Sequence, residues 1–254
     1  MKKLLFISIV TLSLLACSEN KTSYNLHIEG RISDLKLGKI YLQAVRDSSL
    51  VNLDSAKFEG KHENFKLKAQ LEEPELMLLV LKKHNNDDYI ESISFFAEEG
   101  TYNIEAKVTD FTKAKISSTS RNQEKLEELR SIIKGFNNQD LELVEEEFKL
   151  KSQNKNLDDF EKKKRGMERR RYLYLVNFAL KNKDLELAPF TLLSEGTNLN
   201  IKYLDTVYTS LDQNIKRSKY GIELKELIEY RKQQQENATK ETIEQDSIQQ
   251  PTSN

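Results

Sequence analysis

The sequence predicts an α+β protein, in which an N-terminal antiparallel β-sandwich at residues 24–117 is followed by a helical domain at residues 118–235. Three features support this prediction. In the first half, apolar and polar residues alternate with a period of two over short segments, as in strands that bury one face. Turn residues separate these segments about every 8–12 positions, which is typical of a β-sandwich. Beyond residue 118, apolar residues recur at helical spacing instead.

Residues 1–16 have the composition of a secretory signal peptide. Lys2 and Lys3 precede an apolar run about thirteen residues long, whereas a membrane-spanning helix needs about twenty. The run ends in Leu-Leu-Ala-Cys, which resembles the lipobox of bacterial lipoprotein precursors. This resemblance implies cleavage after Ala16 and attachment of acyl chains such as palmitate to Cys17, the only cysteine. The alternative is a plain signal peptide followed by an incidental cysteine.

Lipidation of Cys17 implies a membrane anchor. One acyl chain holds a protein only marginally, but several chains on one residue anchor a soluble domain stably. Residues 17–23 would then form the lipidated tether. Ser18 stands where an aspartate retains many lipoproteins at the inner membrane, so we expect the outer membrane, with the domain facing either the periplasm or the cell surface.

The strands of the first half follow from the alternation. The clearest example is "NFKLKAQL", in which Phe65, Leu67, Ala69 and Leu71 alternate with lysines and a glutamine. A continuous apolar run after Pro74 is consistent with a central strand. The pattern predicts strands at residues 24–32, 39–45, 54–58, 64–71, 75–83, 89–98 and 101–108.

The helices begin with a capping box, because Ser120 is followed by Gln123 three residues later. We expect a first helix that ends near Gly135 and a second at about residues 140–152. A third helix is predicted at about residues 156–182, and shorter ones follow Pro189. The apolar residues that mark the first two helices are Leu126, Leu129, Ile132, Ile133 and Phe136, and then Leu141, Val144 and Phe148.

Residues 236–254 contain no aromatic residue and are rich in Gln, Thr, Ser and Glu, so we expect a disordered tail. Within it, Asp-Ser-Ile at residues 246–248 resembles the three-residue O-glycosylation signal of some Gram-negative periplasms. Ser247 is therefore a candidate modification site, although such triplets also arise by chance.

The strongest charge feature is "EKKKRGMERRR" at residues 161–171. A basic helix face here would meet a phosphate or a lipid headgroup. The alternative is a solvated helix with ion pairs at i,i+4 spacing, since acidic runs precede the segment. The candidate residues for an anionic ligand are Lys162, Lys163, Arg165, Arg169 and Arg170.

Composition argues against several kinds of function. The chain has 40 Lys and Arg against 41 Asp and Glu, so no overall charge attracts nucleic acid. With Cys17 lipidated, no thiol remains for disulfides, thiol catalysis or Cys-ligated metals. His27, His62 and His84 do not pair at metal-ligand spacing, and no nucleophile elbow or phosphate loop occurs. We therefore expect no metal, no cofactor and no enzyme activity.

Four stretches carry a family resemblance: "YNLHIEGRISDLKLGKIYLQ", "LDSAKFEGKHENFKLKAQLEEPELMLLV", "SFFAEEGTYNIEA" and "ISSTSRNQEKLEEL". They resemble proteins that carry the domain of unknown function 4369, a β domain that often precedes a thioredoxin-like module. The resemblance implies a lipoprotein with an N-terminal β domain. The redox activity of such proteins resides in the thioredoxin-like module, and no Trp-Cys-x-x-Cys occurs here, so that activity is not expected of this chain.

Together these features predict a non-catalytic envelope lipoprotein that acts as an interaction or accessory module with a protein partner. One alternative is a lipoprotein that binds a small ligand, a glycan or a peptide, on the sandwich face or in the cleft between the domains. Another is an accessory subunit of a thiol-disulfide system whose redox module is on another chain.

Overall fold

The computed structural model describes residues 23–60, 62–84 and 90–248. Eight strands come first, and a short 3₁₀ helix at Phe111–Lys113 precedes the last of them; six α-helices follow. The strands are β1 (Leu26–Ser33), β2 (Leu37–Arg46), β3 (Ser49–Glu59), β4 (Asn64–Ala69), β5 (Glu75–Lys83), β6 (Ile90–Ala97), β7 (Gly100–Lys107) and β8 (Lys115–Ser117). The helices are α1 (Arg121–Ser152), α2 (Asp158–Lys181), α3 (Leu187–Glu195), α4 (Ile201–Ser210), α5 (Gln213–Arg217) and α6 (Lys219–Ile248).

The strands form two four-stranded sheets, which confirms the predicted α+β class with a sandwich-like β region. The first sheet has the order β4-β1-β7-β8 and the second has the order β3-β2-β5-β6. All neighbouring strands are antiparallel except β1 and β7, which pair in parallel. The parallel pair departs from the purely antiparallel sandwich that we expected. It arises because the chain crosses between the sheets several times before β7 returns beside β1.

Alternation places one face of each sheet in a common core. In β1 the buried residues Leu26, Ile28 and Ile32 point inward, and the intervening polar residues are exposed. Gly30 occupies the remaining inward position and lies opposite Phe65 of β4. A Cβ at Gly30 would lie 2.4 Å from the Phe65 ring, so only glycine leaves space for this ring.

Helix α1 begins as the capping box predicts but continues much further than expected. The Ser120 side chain accepts a hydrogen bond from the Gln123 backbone amide at 3.0 Å. The helix then runs through Gly135 without a break and is 32 residues long. Gly135 is exposed, and a glycine inside an exposed helix costs only about 1 kcal/mol. The predicted end near Gly135 is therefore wrong.

The helices join the sandwich on the outer face of the second sheet. Phe95 points into the sandwich core, whereas the next residue, Phe96, points outward and is fully buried under the helices. Its ring contacts those of Phe190 on α3 and Tyr220 on α6, with centroids 5.7 and 5.8 Å away. The backbone amide of Phe96 also donates to the Gln123 side chain at 2.8 Å. The helical half is thus packed onto β6.

The far halves of α1 and α2 form a hairpin at residues 137–170, which we call the arm. Its apolar cluster has Leu143, Phe160 and Met167 at its centre, and all of its members belong to residues 136–167. Phe136 packs against this cluster and also against the cluster around Phe96, whereas the other members belong to neither of the two clusters that hold the rest of the helical half together.

The last helix, α6, continues to residue 248 and so enters the segment for which composition predicts disorder. Within the described ranges, no helix is long and apolar enough to cross a membrane.

Candidate functional site

The arm carries three apolar side chains that face solvent. Leu141, Val144 and Phe148 lie at i, i+3 and i+7 on α1 and are 64%, 63% and 77% exposed. We call them the arm stripe. On a helix of 3.6 residues per turn they lie roughly 140° from Leu143 and Leu150, which face α2. Clusters of exposed apolar residues of this kind mark interaction surfaces more often than isolated ones do.

The same part of α1 is strongly acidic. Asp140 pairs with Arg171 at 3.2 Å, and Glu147 pairs with Lys151 at 2.5 Å. Glu142 and Glu145 are exposed and have no ion pair among the described residues. The arm stripe is therefore an apolar row within a region of negative charge.

The predicted basic face lies on α2, in the other half of the arm, and much of its charge is paired. Lys163 reaches Glu146 across the hairpin at 2.5 Å. Lys162 pairs with Asp159 at 3.1 Å, and Arg165 lies 3.8 Å from Glu161. Of these three pairs, only Arg165–Glu161 has the i,i+4 spacing of the ion-paired helix; Lys162–Asp159 is at i,i+3 and Lys163–Glu146 crosses the hairpin.

The two remaining members of that face, Arg169 and Arg170, are exposed. No ion pair to either is found in the part of the chain that the structure describes. Any anion-binding capacity of the α2 face would therefore depend chiefly on these two arginines.

A cleft of about 360 Å³ separates the outer face of the second sheet from α1 and α3. Its apolar wall consists of Leu76, Leu126, Leu129, Ile133 and Phe190, and its polar groups are Ser94, Arg130, Lys134, Asn137, Ser194 and Glu195.

Arg130 is the best-placed polar group in this cleft. Its guanidinium donates to the Ser94 carbonyl at 2.7 Å and to the Ser94 hydroxyl at 2.6 Å. Its only described ion pair is with Glu127, at 3.4 Å. Burial lowers the pKa of Arg130, because its charge is partly removed from water. An anionic group in the cleft would compensate for that loss of hydration.

Beside the cleft, a network of buried polar groups fastens the sheet to the helices. Glu75 of β5 is 4% exposed and pairs with Arg46 of β2 and with Lys219 of α6, the latter at 3.2 Å. The hydrogen bonds that the Arg46 guanidinium donates to Glu75 raise the pKa of Arg46. The Asn122 side chain, also buried, donates to Glu98 and Glu186 and accepts from the Leu187 amide. The hydrogen bonds and ion pairs among these groups hold the sheet and the helices together, so we assign them a structural role.

The sequence predicts no metal role for the three histidines and predicts two modification sites, Cys17 and Ser247. His27, His62 and His84 are all exposed, and no group of three metal-ligating side chains is found within residues 23–60, 62–84 and 90–248. Cys17 lies outside the described residues. Ser247 belongs to the described backbone of α6, but its side chain is not described.

Sequence patterns missed the exposure of the arm stripe, because its spacing is also that of a buried helix face. Treating α1 as one helix does not remove this ambiguity. Leu141, Val144 and Phe148 then lie about 75° around the axis from Leu126, Leu129, Ile133 and Phe136, and an ordinary apolar helix face is at least that wide.

Comparison with known families agrees with the predicted resemblance for the β region. Residues 26–125 match a family model described as "Domain of unknown function (DUF4369)". The match covers all eight described strands and the first turn of α1. No curated protein matches the chain.

Tyr220 offers a test of the joint between sheet and helices. Its hydroxyl accepts from the Leu76 amide at 2.9 Å, and burial raises its pKa to about 12. Because the folded state disfavours the phenolate, Tyr220 contributes stability that is fully present below about pH 10 and is lost as the pH rises through about 12. Tyr220→Phe should lower the free energy of unfolding at pH 7 by about 1–3 kcal/mol, since the Leu76 amide loses its partner. It should also reduce the loss of stability between about pH 10 and 12.

Urea unfolding of wild type and variant across this pH range measures both effects. Tyr230→Phe is the matched control, because Tyr230 is on the same helix and exposed. Equal alkaline losses in wild type and Tyr220→Phe would contradict the assignment.

Proposed function

We propose that this protein, which carries a DUF4369 domain, is a non-catalytic lipoprotein of the bacterial outer membrane whose arm docks a protein partner. The lipobox-like sequence that ends at Cys17 supports the anchor, and the folded domain would extend from the tether at residues 17–23. The arm stripe is the observation that carries the docking role.

The energetic argument rests on exposed apolar area. Burying a leucine, valine or phenylalanine side chain is worth about 1.5–3 kcal/mol each, so the three residues of the arm stripe together can dominate an interface. The arm's own apolar cluster leaves the stripe uncovered. A helix face with i, i+3 and i+7 anchors is a common docking element.

Charge indicates the chemistry of the partner. The arm stripe is bordered by carboxylates, including Glu142 and Glu145, which form no ion pair with any described residue. A partner with an apolar face edged by lysine or arginine is therefore favoured. The same carboxylates disfavour an anionic lipid surface as the occupant.

The role as accessory subunit of a thiol-disulfide system is one form of this proposal. In that form, the partner bound by the arm would itself carry the thioredoxin-like module. The identity of the bound protein decides between this form and a partner of another kind.

A second candidate function is binding of a small ligand in the cleft between sheet and helices. The apolar wall beside Arg130 and Lys134 favours a peptide that ends in an apolar residue with a free carboxylate. The volume of about 360 Å³ is at the lower end of the range of small-molecule sites.

The docking role predicts that replacing all three residues of the arm stripe by serine abolishes partner capture. Affinity purification of the full-length protein from solubilised membranes, with quantitative mass spectrometry, should show at least about a tenfold loss, because each anchor contributes more than 1.4 kcal/mol. The matched control replaces three exposed apolar residues of the other helices, Tyr203, Ile222 and Tyr230, by serine. Unchanged capture by the stripe variant would refute the docking role. Light scattering of the purified protein reports whether the captured partner is a second copy.

If acyl chains on Cys17 anchor the protein, Cys17→Ser should move it from the membrane fraction to the soluble fraction, because the acylated sulfur is lost. The same variant should no longer be labelled with radioactive palmitate. Ser18→Ala is the control and should remain membrane-bound. Intact-mass analysis of the wild type should show a chain that begins at an acylated Cys17. A wild-type chain that begins at Met1 with a free thiol would overturn the anchor.

The ligand-binding candidate predicts that the peptide Leu-Leu-Phe with a free carboxylate raises the melting temperature, whereas its C-terminal amide raises it less. Arg130→Gln and Lys134→Gln should each reduce the difference between the two peptides, since each removes a positive charge from the cleft. Lys134 is exposed, so that variant is expected to fold even if Arg130→Gln is destabilised. Equal shifts with acid and amide would exclude carboxylate recognition.

A further inference from the structure

Three lysines lie side by side on the outer face of the second sheet. Lys39 of β2 is directly opposite Lys57 of β3 on one side and Lys82 of β5 on the other. All three point away from the sandwich core, because the next residue of β2, Ile40, is fully buried. We call Lys57, Lys39 and Lys82 the lysine row.

This arrangement is unfavourable in the unbound protein. Directly opposite side chains on antiparallel strands have Cβ atoms about 4.5–5.5 Å apart, and like charges at that spacing repel. Within the described part of the chain, no carboxylate forms an ion pair with any of the three lysines. On the first sheet, by contrast, Lys66 pairs with Glu29 at 2.6 Å.

Two lysines of the row, Lys39 on the central strand and Lys82 on β5, lie over one aromatic ring. The ammonium of Lys39 is 4.6 Å from the centroid of Tyr41, and that of Lys82 is 5.8 Å away. Contact with the ring stabilises each ammonium by about 0.5–1 kcal/mol at an exposed site. It also holds two positive charges over one half-buried tyrosine, whose hydroxyl is available for a further hydrogen bond.

A surface pocket, which we call the hollow, lies beside the lysine row and is large enough to hold a small ligand. Its volume is about 440 Å³, and besides the lysine row and Tyr41 it is lined by Leu37, Gly38, Phe58, Glu59, Lys83 and His84. Among the residues that the structure describes, Glu59 is the only carboxylate in this lining. The volume falls within the range of about 300–1,000 Å³ that is usual for small organic ligands.

The side chains that line the hollow favour a phosphate group over other anions. Lysines are point charges that suit phosphate, and two or three of them around one spot match its double negative charge. A bare phosphate would leave most of the hollow empty. The tyrosine hydroxyl and the adjacent Ser55, which lies opposite Tyr41 in the register, are suited to sugar hydroxyls.

From this geometry we infer that the lysine row and Tyr41 form a binding site for a phosphorylated sugar, as presented by a phosphate-bearing glycan. The site is on the sandwich and is formed by β2, β3 and β5, whereas the arm stripe is on α1. It therefore does not depend on docking by the arm. Ligand phosphate would replace repulsion between the lysines by attraction to a shared anion.

The test uses full-length protein in detergent and glucose 6-phosphate as the probe, with binding measured by calorimetry. The wild type should bind glucose 6-phosphate, and Lys39→Gln should weaken binding about tenfold or more, because one charge-assisted contact is worth about 1.4 kcal/mol. Lys82→Gln should act in the same direction. Glucose and inorganic phosphate should each bind more weakly than the ester.

The matched control is Lys68→Gln. Lys68 also lies over a tyrosine ring, 4.1 Å from the centroid of Tyr24, but its neighbour in the register is His27 rather than another lysine. This variant should bind the probe as the wild type does.

Stability provides a second and independent readout. Without ligand, Lys57→Gln should shift the urea midpoint upward, because it removes the repulsion with Lys39 and, unlike Lys39→Gln, leaves the contacts with the Tyr41 ring in place. The same variant should weaken binding of the probe. Binding and stability should thus change in opposite directions. Absence of binding by the wild type, or equal binding by wild type and Lys39→Gln, would overturn the inference. Equal affinity for inorganic phosphate and glucose 6-phosphate would refute the sugar part of the site.

Discussion

Two consecutive phenylalanines on β6 hold the molecule together. Because side chains of a strand alternate between faces, Phe95 enters the sandwich core and Phe96 enters the core beneath the helices. Both are fully buried. The two halves therefore share a strand. The aromatic contacts of Phe96 with Phe190 and Tyr220 fix the position of the helices on the sheet.

Polar side chains complete this joint by hydrogen-bonding to the buried backbone amides of β5 and β6. The Phe96 amide is bound by Gln123, the Leu76 amide by Tyr220, and Asn122 bridges Glu98 and Glu186. Buried networks of this kind cost little only when their members are satisfied, and their geometry then becomes highly specific. The cleft beside Arg130 exists because the joint holds α1 and α3 at a fixed distance from β6.

Away from the joint, the molecule has two surfaces whose exposure to solvent is energetically unfavourable. The arm stripe exposes apolar area amid carboxylates, and the lysine row places like charges opposite one another. One is an excess of hydrophobic surface and the other an excess of positive charge, so they suit occupants of different chemistry. Both are on the periphery of a well-packed scaffold, as binding surfaces usually are.

The sequence by itself determined most individual strands and the start of the first helix, because these features depend on interactions between residues that are close together in the chain. Alternation in "NFKLKAQL" determined a half-buried strand, and Ser120 with Gln123 determined the start of α1. Tertiary structure decided what depends on distant residues: that β7 pairs in parallel with β1, that α1 continues past Gly135, and that the stripe of Leu141, Val144 and Phe148 faces solvent. Apolar spacing specifies a face of a helix but not whether a neighbour covers it. Similarly, Lys39, Lys57 and Lys82 are far apart in sequence, and only the strand register places them in one row.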